Sequence, residues 1–188
     1  APQFPTAAPT AEPAPSATLK IWADDTRTPI LLAFADAFKE QYNVELVVEG
    51  GGDPVRAFVD VAQLEQAVTN LVINAVHAMP DGGKVTLAAR RETAAPPSAP
   101  DAKRDCAVLE VKDEGVGISK ENLERIFEPF FTTKPVGDGT GLGLSVTHGI
   151  LSDHEGWMTA ESIVGKGSTF TLYLPVEVLR DSAAGEVS

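Results

Sequence analysis

From Val61 to Met79 the apolar residues Val61, Leu64, Val68, Leu71, Val72, Ala75 and Met79 return every three or four positions, the period of a helix that buries one face. The turn sequence MPDGG (79–83) ends it. KVTLAARRE (84–92) and CAVLEVKD (106–113) read as strands, joined by a surface loop rich in proline and charge at 93–104. SKENLERIF (119–127) predicts a further helix, with Ser119 three residues before Asn122 and Glu121 in its first turn. LGLSVTHGILSDH (142–154) predicts a helix entered from glycines. WMTAES (157–162) and STFTLYLPVEV (168–178) predict a closing hairpin across IVGKG (163–167).

Upstream, TLKIWA (18–23) and NVELVVE (43–49) predict strands on either side of an amphipathic helix, TPILLAFADAFKEQY (28–42), with Pro29 in its first turn. The glycines of GGGDP (50–54) break the chain there. Residues 1–17, rich in alanine and proline, predict an extended linker, and residues 179–188 a frayed tail. The organisation expected is therefore a linker (1–17), a strand-helix-strand segment (18–49), a main domain (50–178) and a tail (179–188). Helices and strands alternate without a strict parallel repeat. The fold class is α/β, a two-layer sandwich with a mixed sheet of about five strands and about three helices on one face.

Composition narrows the chemistry. A formal charge of -12 argues against general attraction to nucleic acid, since phosphate backbones would meet mostly carboxylates. Any anionic ligand has to be held by local donors. Cys106, the only cysteine, sits in an apolar run and reads as a small buried hydrophobe, with no internal disulfide possible. No apolar stretch approaches the roughly 18 residues of a membrane span and none reads as a secretory leader, so a soluble chain is expected, with its compartment left open by these features.

Candidate binding residues fall at fixed points of this pattern. Asn70 and Asn74 lie one turn apart on one helix face, where carboxamides can give oxygens to a hard cation and donors to phosphate, although solvated asparagines would look the same. Asp113 ends a strand and is followed by Gly115 and Gly117, so its carboxylate can project into space cleared of side chains and accept an amino hydrogen. A plain aspartate-glycine turn is the alternative. In GDGTGLGLS (137–145) side chains are missing at alternate positions before a helix starts, presenting backbone N–H groups to an anion or forming no more than a flexible loop.

Taken in order, NLVINAVHAM (70–79), DEGVGI (113–118), FEPFFTTK (127–134), GTGLGLS (139–145) and GKGSTFTLYLP (165–175) resemble the ATP-binding catalytic domain of sensor histidine kinases, over about 44–178. The wording FEPFFTTK is similar to the nitrogen-regulation and hybrid kinase branch. The resemblance implies MgATP as ligand, with Asn70 and Asn74 at the phosphates and Mg²⁺, and Asp113 on the adenine amino group. It implies that Gly115, Gly117 and Ile118 line the base, and that Phe127, Phe131, Thr132, Thr133 and Lys134 belong to a lid. Gly139, Thr140, Gly141, Leu142, Gly143 and Leu144 would surround the phosphates, with Ser168 and Thr169 closing the base pocket. The implied partners are a histidine-bearing dimerisation hairpin and a response regulator receiver domain.

Related ATPases of the topoisomerase, heat-shock and mismatch-repair type place a glutamate, the general base for water, one turn before the metal-binding asparagine. Here that position is Asn70, and an amide cannot take the proton. The resemblance therefore implies phosphoryl transfer rather than fast hydrolysis. The phosphoacceptor is the piece not found. The histidines are His77, His148 and His154, each expected to be an ordinary packing or surface residue, with His77 facing the fold. The stretch around Arg27–Pro29 echoes the kinase histidine motif, but Asp24 stands where the histidine belongs, and the residues from Pro29 to Val44 give at most one helix of about 21 Å at about 1.5 Å per residue. A second resemblance covers about 19–49, which looks like the opening strand, helix and strand of periplasmic sugar-binding proteins. It leaves open a non-catalytic ATP-binding module or a chimera.

Overall fold

The computed structural model describes residues 18–20, 44–49, 56–134 and 139–176. The linker expected at 1–17, the helix expected at 28–42, the break at 50–54 and the tail at 179–188 lie outside or largely outside these residues. Within them the chain forms β1 (Thr18–Lys20), β2 (Val44–Glu49), β3 (Arg56–Phe58), α1 (Val61–His77), β4 (Gly83–Ala94), β5 (Arg104–Asp113), α2 (Lys120–Leu123), α3 (Gly143–Asp153), β6 (Trp157–Ile163) and β7 (Gly167–Pro175).

One five-stranded sheet runs in the order β2-β4-β5-β7-β6. β2 lies parallel to β4, from Val44 opposite Gly83 to Glu49 opposite Ala88, and every other pair is antiparallel. The sheet is thus mixed, as the alternation of elements predicts, and it already includes residues 44–49. β1 and β3 form a separate antiparallel ribbon that ties Leu19 to Ala57.

Helices cover one face. α1 is capped by Asp60, whose carboxylate accepts from the Gln63 N–H at 3.1 Å, and it buries Leu64, Ala67, Leu71 and Ala75. These pack on Val85, Leu109, Val111, Phe170 and Leu172 from the sheet and on Ile150 and Leu151 from α3. Truncating a fully buried leucine such as Leu71 costs about 2–5 kcal/mol, so this layer carries much of the domain's stability. On the opposite face a smaller cluster joins Cys106 and Val108 to Trp157, which stacks on Tyr173 with ring centroids 4.9 Å apart. Burial there raises the pKa of the Cys106 thiol above its ordinary value, consistent with the inert role read from the sequence.

The expected helix at 119–127 is cut to a single turn. Ser119 does cap it, accepting from the Asn122 N–H at 3.3 Å, but after Leu123 the chain continues in successive turns. Pro129 disfavours helical backbone at the residue before it, and Phe130 then adopts a left-handed φ of 66°. The region is thereby freed from the helical layer to form the rim of a cavity.

Candidate functional site

The cavity wall is assembled from three places in the chain. α1 presents Asn70, Asn74 and His77 from one face. The end of β5 delivers Asp113, and α3 begins at Gly143 with no side chain capping its first turn. Asn70 ties α1 to α3, because its Nδ2 donates to the Gly143 carbonyl at 3.2 Å and to Thr147 Oγ1 at 3.4 Å. With the amide nitrogen committed to α3, the amide oxygen is the atom left for a ligand. A side chain at position 143 would come within 3.9 Å of Asn74 Nδ2, so the start of α3 stands directly over the asparagine pair.

Two adjoining chambers result. One, of about 320 Å³, is lined by Asn70, Ile73, Asn74, Thr140, Gly141 and Gly143 among others. The second, of about 280 Å³, is lined by Asp113, Val116, Gly117, Ile118, Asn122, Thr133, Ser168 and Phe170. Asn74, His77, Ile126, Phe131, Thr132, Lys134 and Leu144 face both. The first chamber is surrounded by amides and helix-start backbone, the second by apolar groups around one acid.

That acid is only 3% exposed. Asp113 Oδ1 accepts from the Gly115 N–H at 2.9 Å and from the Ser168 N–H at 3.2 Å. Burial raises its pKa above the ordinary carboxylate value, and the hydrogen bonds from Gly115 and Ser168 work against that rise. Close backbone approaches hold the loop beside it. Gly115 packs against Ala78, where a Cβ would lie 2.6 Å from the carbonyl oxygen, while Gly117 at φ 71° packs against the Ile163 carbonyl. The Ile118 N–H donates to Ser162 Oγ at 2.7 Å, fixing the loop to β6.

Most residues singled out from the sequence meet at these chambers, and the exceptions have physical reasons. Thr169 does not, because strand alternation puts Ser168 and Phe170 on the helix side of β7 and turns Thr169 to the other face, opposite Lys112 and Glu161. Phe127 packs on the core and lies 5.9 Å from the His148 ring rather than on the cavity wall. Gly115 and Leu142 act through the backbone, one against Ala78 and one ahead of α3. His77 corrects the expectation that it faces the fold: it is exposed, lines both chambers, and its Nδ1 lies 2.8 Å from Lys134 Nζ. Its spacing of three from Asn74 carried that signal. Ile73, Ala78, Val116, Asn122, Ile126 and Phe170 also line the chambers and were not read from the sequence.

An open two-layer sandwich carries a two-chambered cleft beside the start of α3. Residues 59–178 match the family described as histidine kinase-, DNA gyrase B-, and HSP90-like ATPase, and the chain belongs to that family. Its relatives narrow the kind. The sensor kinase CckA of Brucella abortus is 48% identical over 141 residues, 71% of this chain and 14% of that protein. The sensor histidine kinase ZraS of Salmonella typhi is 40% identical over 121 residues, 64% of this chain and 23% of that protein. The catalytic domain of histidine kinase ThkA superposes with a TM-score of 0.64 at 26% identity, covering 85% of this chain and 95% of that one. The chain carries an ATP-binding catalytic domain of the sensor histidine kinase type, and it spans under a quarter of the length of the curated relatives named here. Among the described residues no helix is long and apolar enough to cross a membrane.

Proposed function

We propose that this domain binds MgATP with the base against Asp113 and the phosphates between the asparagine pair and the start of α3, and delivers the γ-phosphoryl group to a histidine on another element. The observation that carries the reading is Asn70, which is tied to Gly143 and Thr147 by its amide nitrogen and stands where a hydrolytic site of this family would need an acid. The donor set fits the ligand. Asn70 and Asn74 offer amide oxygens, hard donors that Mg²⁺ can take together with water and phosphate oxygens. Bound Mg²⁺ would neutralise phosphate charge. Asn70 and Asn74 would hold it, and the N–H groups at the start of α3 would hold phosphate oxygens.

The domain's own histidines are poor acceptors. Both ring nitrogens of His154 are engaged, one with the Ile150 carbonyl at 2.7 Å and one with the Asp60 N–H at 2.9 Å. His148 lies beside Phe127 on the exposed side of α3, and His77 Nδ1 is engaged by Lys134. A hairpin supplying the histidine and a receiver domain accepting the phosphoryl group are the partners this chemistry requires, in a cytoplasmic setting where ATP is available. Calorimetric titration with ATP, with and without Mg²⁺, followed by incubation with γ-labelled ATP, tests the reading. Magnesium-dependent binding with no label on this chain alone is expected. Acid-labile, base-stable label on the chain alone would overturn the need for an acceptor in trans.

A further inference from the structure

Lys134 is held at three levels. Its backbone N–H donates to Thr132 Oγ1 at 3.1 Å. Its aliphatic stem passes the bare face of Gly139, where a Cβ would lie 3.1 Å from Lys134 Cδ. Its ammonium stands 2.8 Å from His77 Nδ1. An ammonium has donors and no lone pair, so Nδ1 is the acceptor and the imidazole carries its proton on Nε2. A lysine on an open rim ordinarily keeps its side-chain freedom in solvent, and fixing it in one geometry when a ligand arrives opposes binding. Here that ordering is built into the site, and the pair stands where the two chambers meet.

We propose that His77 is a positioning residue that holds the Lys134 ammonium at the junction between the base and phosphate chambers, preorganised for the phosphate chain of the nucleotide. The inference rests on the proposed nucleotide site and assigns His77 a role in it. A phosphate oxygen arriving at the junction is a stronger acceptor for the ammonium than a neutral imidazole, because that hydrogen bond is charged on both sides. The lysine is handed from His77 to the ligand with little further loss of freedom. His77 thus contributes to binding of phosphorylated ligands through Lys134, without needing a contact of its own.

The test is calorimetric titration of the whole chain with adenosine and with ADP, for wild type, His77→Ala, His77→Gln, Lys134→Met and the double variant His77→Ala/Lys134→Met. Loss of one positioning hydrogen bond predicts ADP binding weakened about 3- to 12-fold in His77→Ala, with adenosine within about twofold. His77→Gln, whose amide oxygen can accept from the ammonium, restores most of the loss. The double variant binds ADP no more weakly than Lys134→Met, because His77 has nothing left to position. Unchanged ADP binding in His77→Ala, equal losses for adenosine and ADP, or a double variant showing the product of both losses would each overturn the proposal while leaving the nucleotide site standing. A wild type that binds neither ligand would instead overturn the site, and the proposal with it.

Discussion

Replacing Asp113 by asparagine changes one atom of the base chamber and little else. Asp113 Oδ1 holds two backbone N–H groups, and an asparagine oxygen can keep both, so the loop through Gly115 and the start of β7 should remain in place. What changes is the second oxygen, which becomes an amino group and, under the proposed MgATP reading, offers a donor where the adenine amino group would need an acceptor. Because the residue is only 3% exposed, water cannot make good the loss. A hydrogen bond to a charged partner is worth about 1.5–3 kcal/mol, so ATP affinity should fall about 10- to 150-fold. Inosine triphosphate, with a carbonyl in place of the amino group, should lose less or gain. Calorimetry with both nucleotides reads the ratio directly, and an unchanged preference for ATP would remove Asp113 from base recognition.

The same substitution separates recognition from folding. Burial makes the ionised form of Asp113 costly, and its pKa lies above the ordinary 3.8 despite the hydrogen bonds from Gly115 and Ser168. A carboxyl with a raised folded-state pKa binds its proton more tightly when folded. Its contribution to stability is full below the unfolded value and is lost as pH rises from about 3.8 through the raised value. The asparagine variant lacks that loss. Its melting temperature without nucleotide, relative to wild type, should be higher at pH 7 than at pH 3.5. A variant that loses ATP while melting below wild type at pH 7 would show that Asp113 serves the fold rather than the ligand.

Asn74→Ala should remove most of the increase in nucleotide affinity that Mg²⁺ gives the wild type, and calorimetry with and without the ion would detect its persistence. Gly117→Ala should destabilise the domain and weaken ATP binding together, since φ 71° disfavours a side chain and the new Cβ would strike the Ile163 carbonyl; thermal melting and nucleotide titration measure the two effects. Gly149→Ala should do the opposite: a Cβ there meets nothing within 4 Å, and removing a glycine from the middle of α3 should stabilise by about 0.5–1 kcal/mol in chemical denaturation.

What the sequence made legible was what repeats or what costs most to misplace. The three- and four-residue spacing through α1 located its buried face, and Leu64, Leu71, Ala75 and Met79 are all in the core. The asparagines, the acid at the end of β5 and the glycines before α3 meet at one cleft because each needs a particular backbone around it. The sequence overstates the helix at 119–127 because a good cap and an acidic first turn describe how a helix begins, while Pro129 bars helical backbone only at Glu128 and no local signal marks the stop after Leu123. The parallel edge strand β2 was found as a strand but not as a neighbour of β4, since pairing across a helix leaves no local mark. Thr169 and His77 fail for a shared reason of another kind: a motif names a stretch of chain, and the period of the element decides which side of it a residue occupies. In β7 the buried Phe170, Leu172 and Leu174 already require Ser168 on the helix side and Thr169 on the other. In α1 the three-residue step from Asn74 to His77 likewise carries the histidine to the asparagine's side at the cleft, whereas its contact with Lys134, 57 residues further on, comes from the fold and leaves no mark in the helix period.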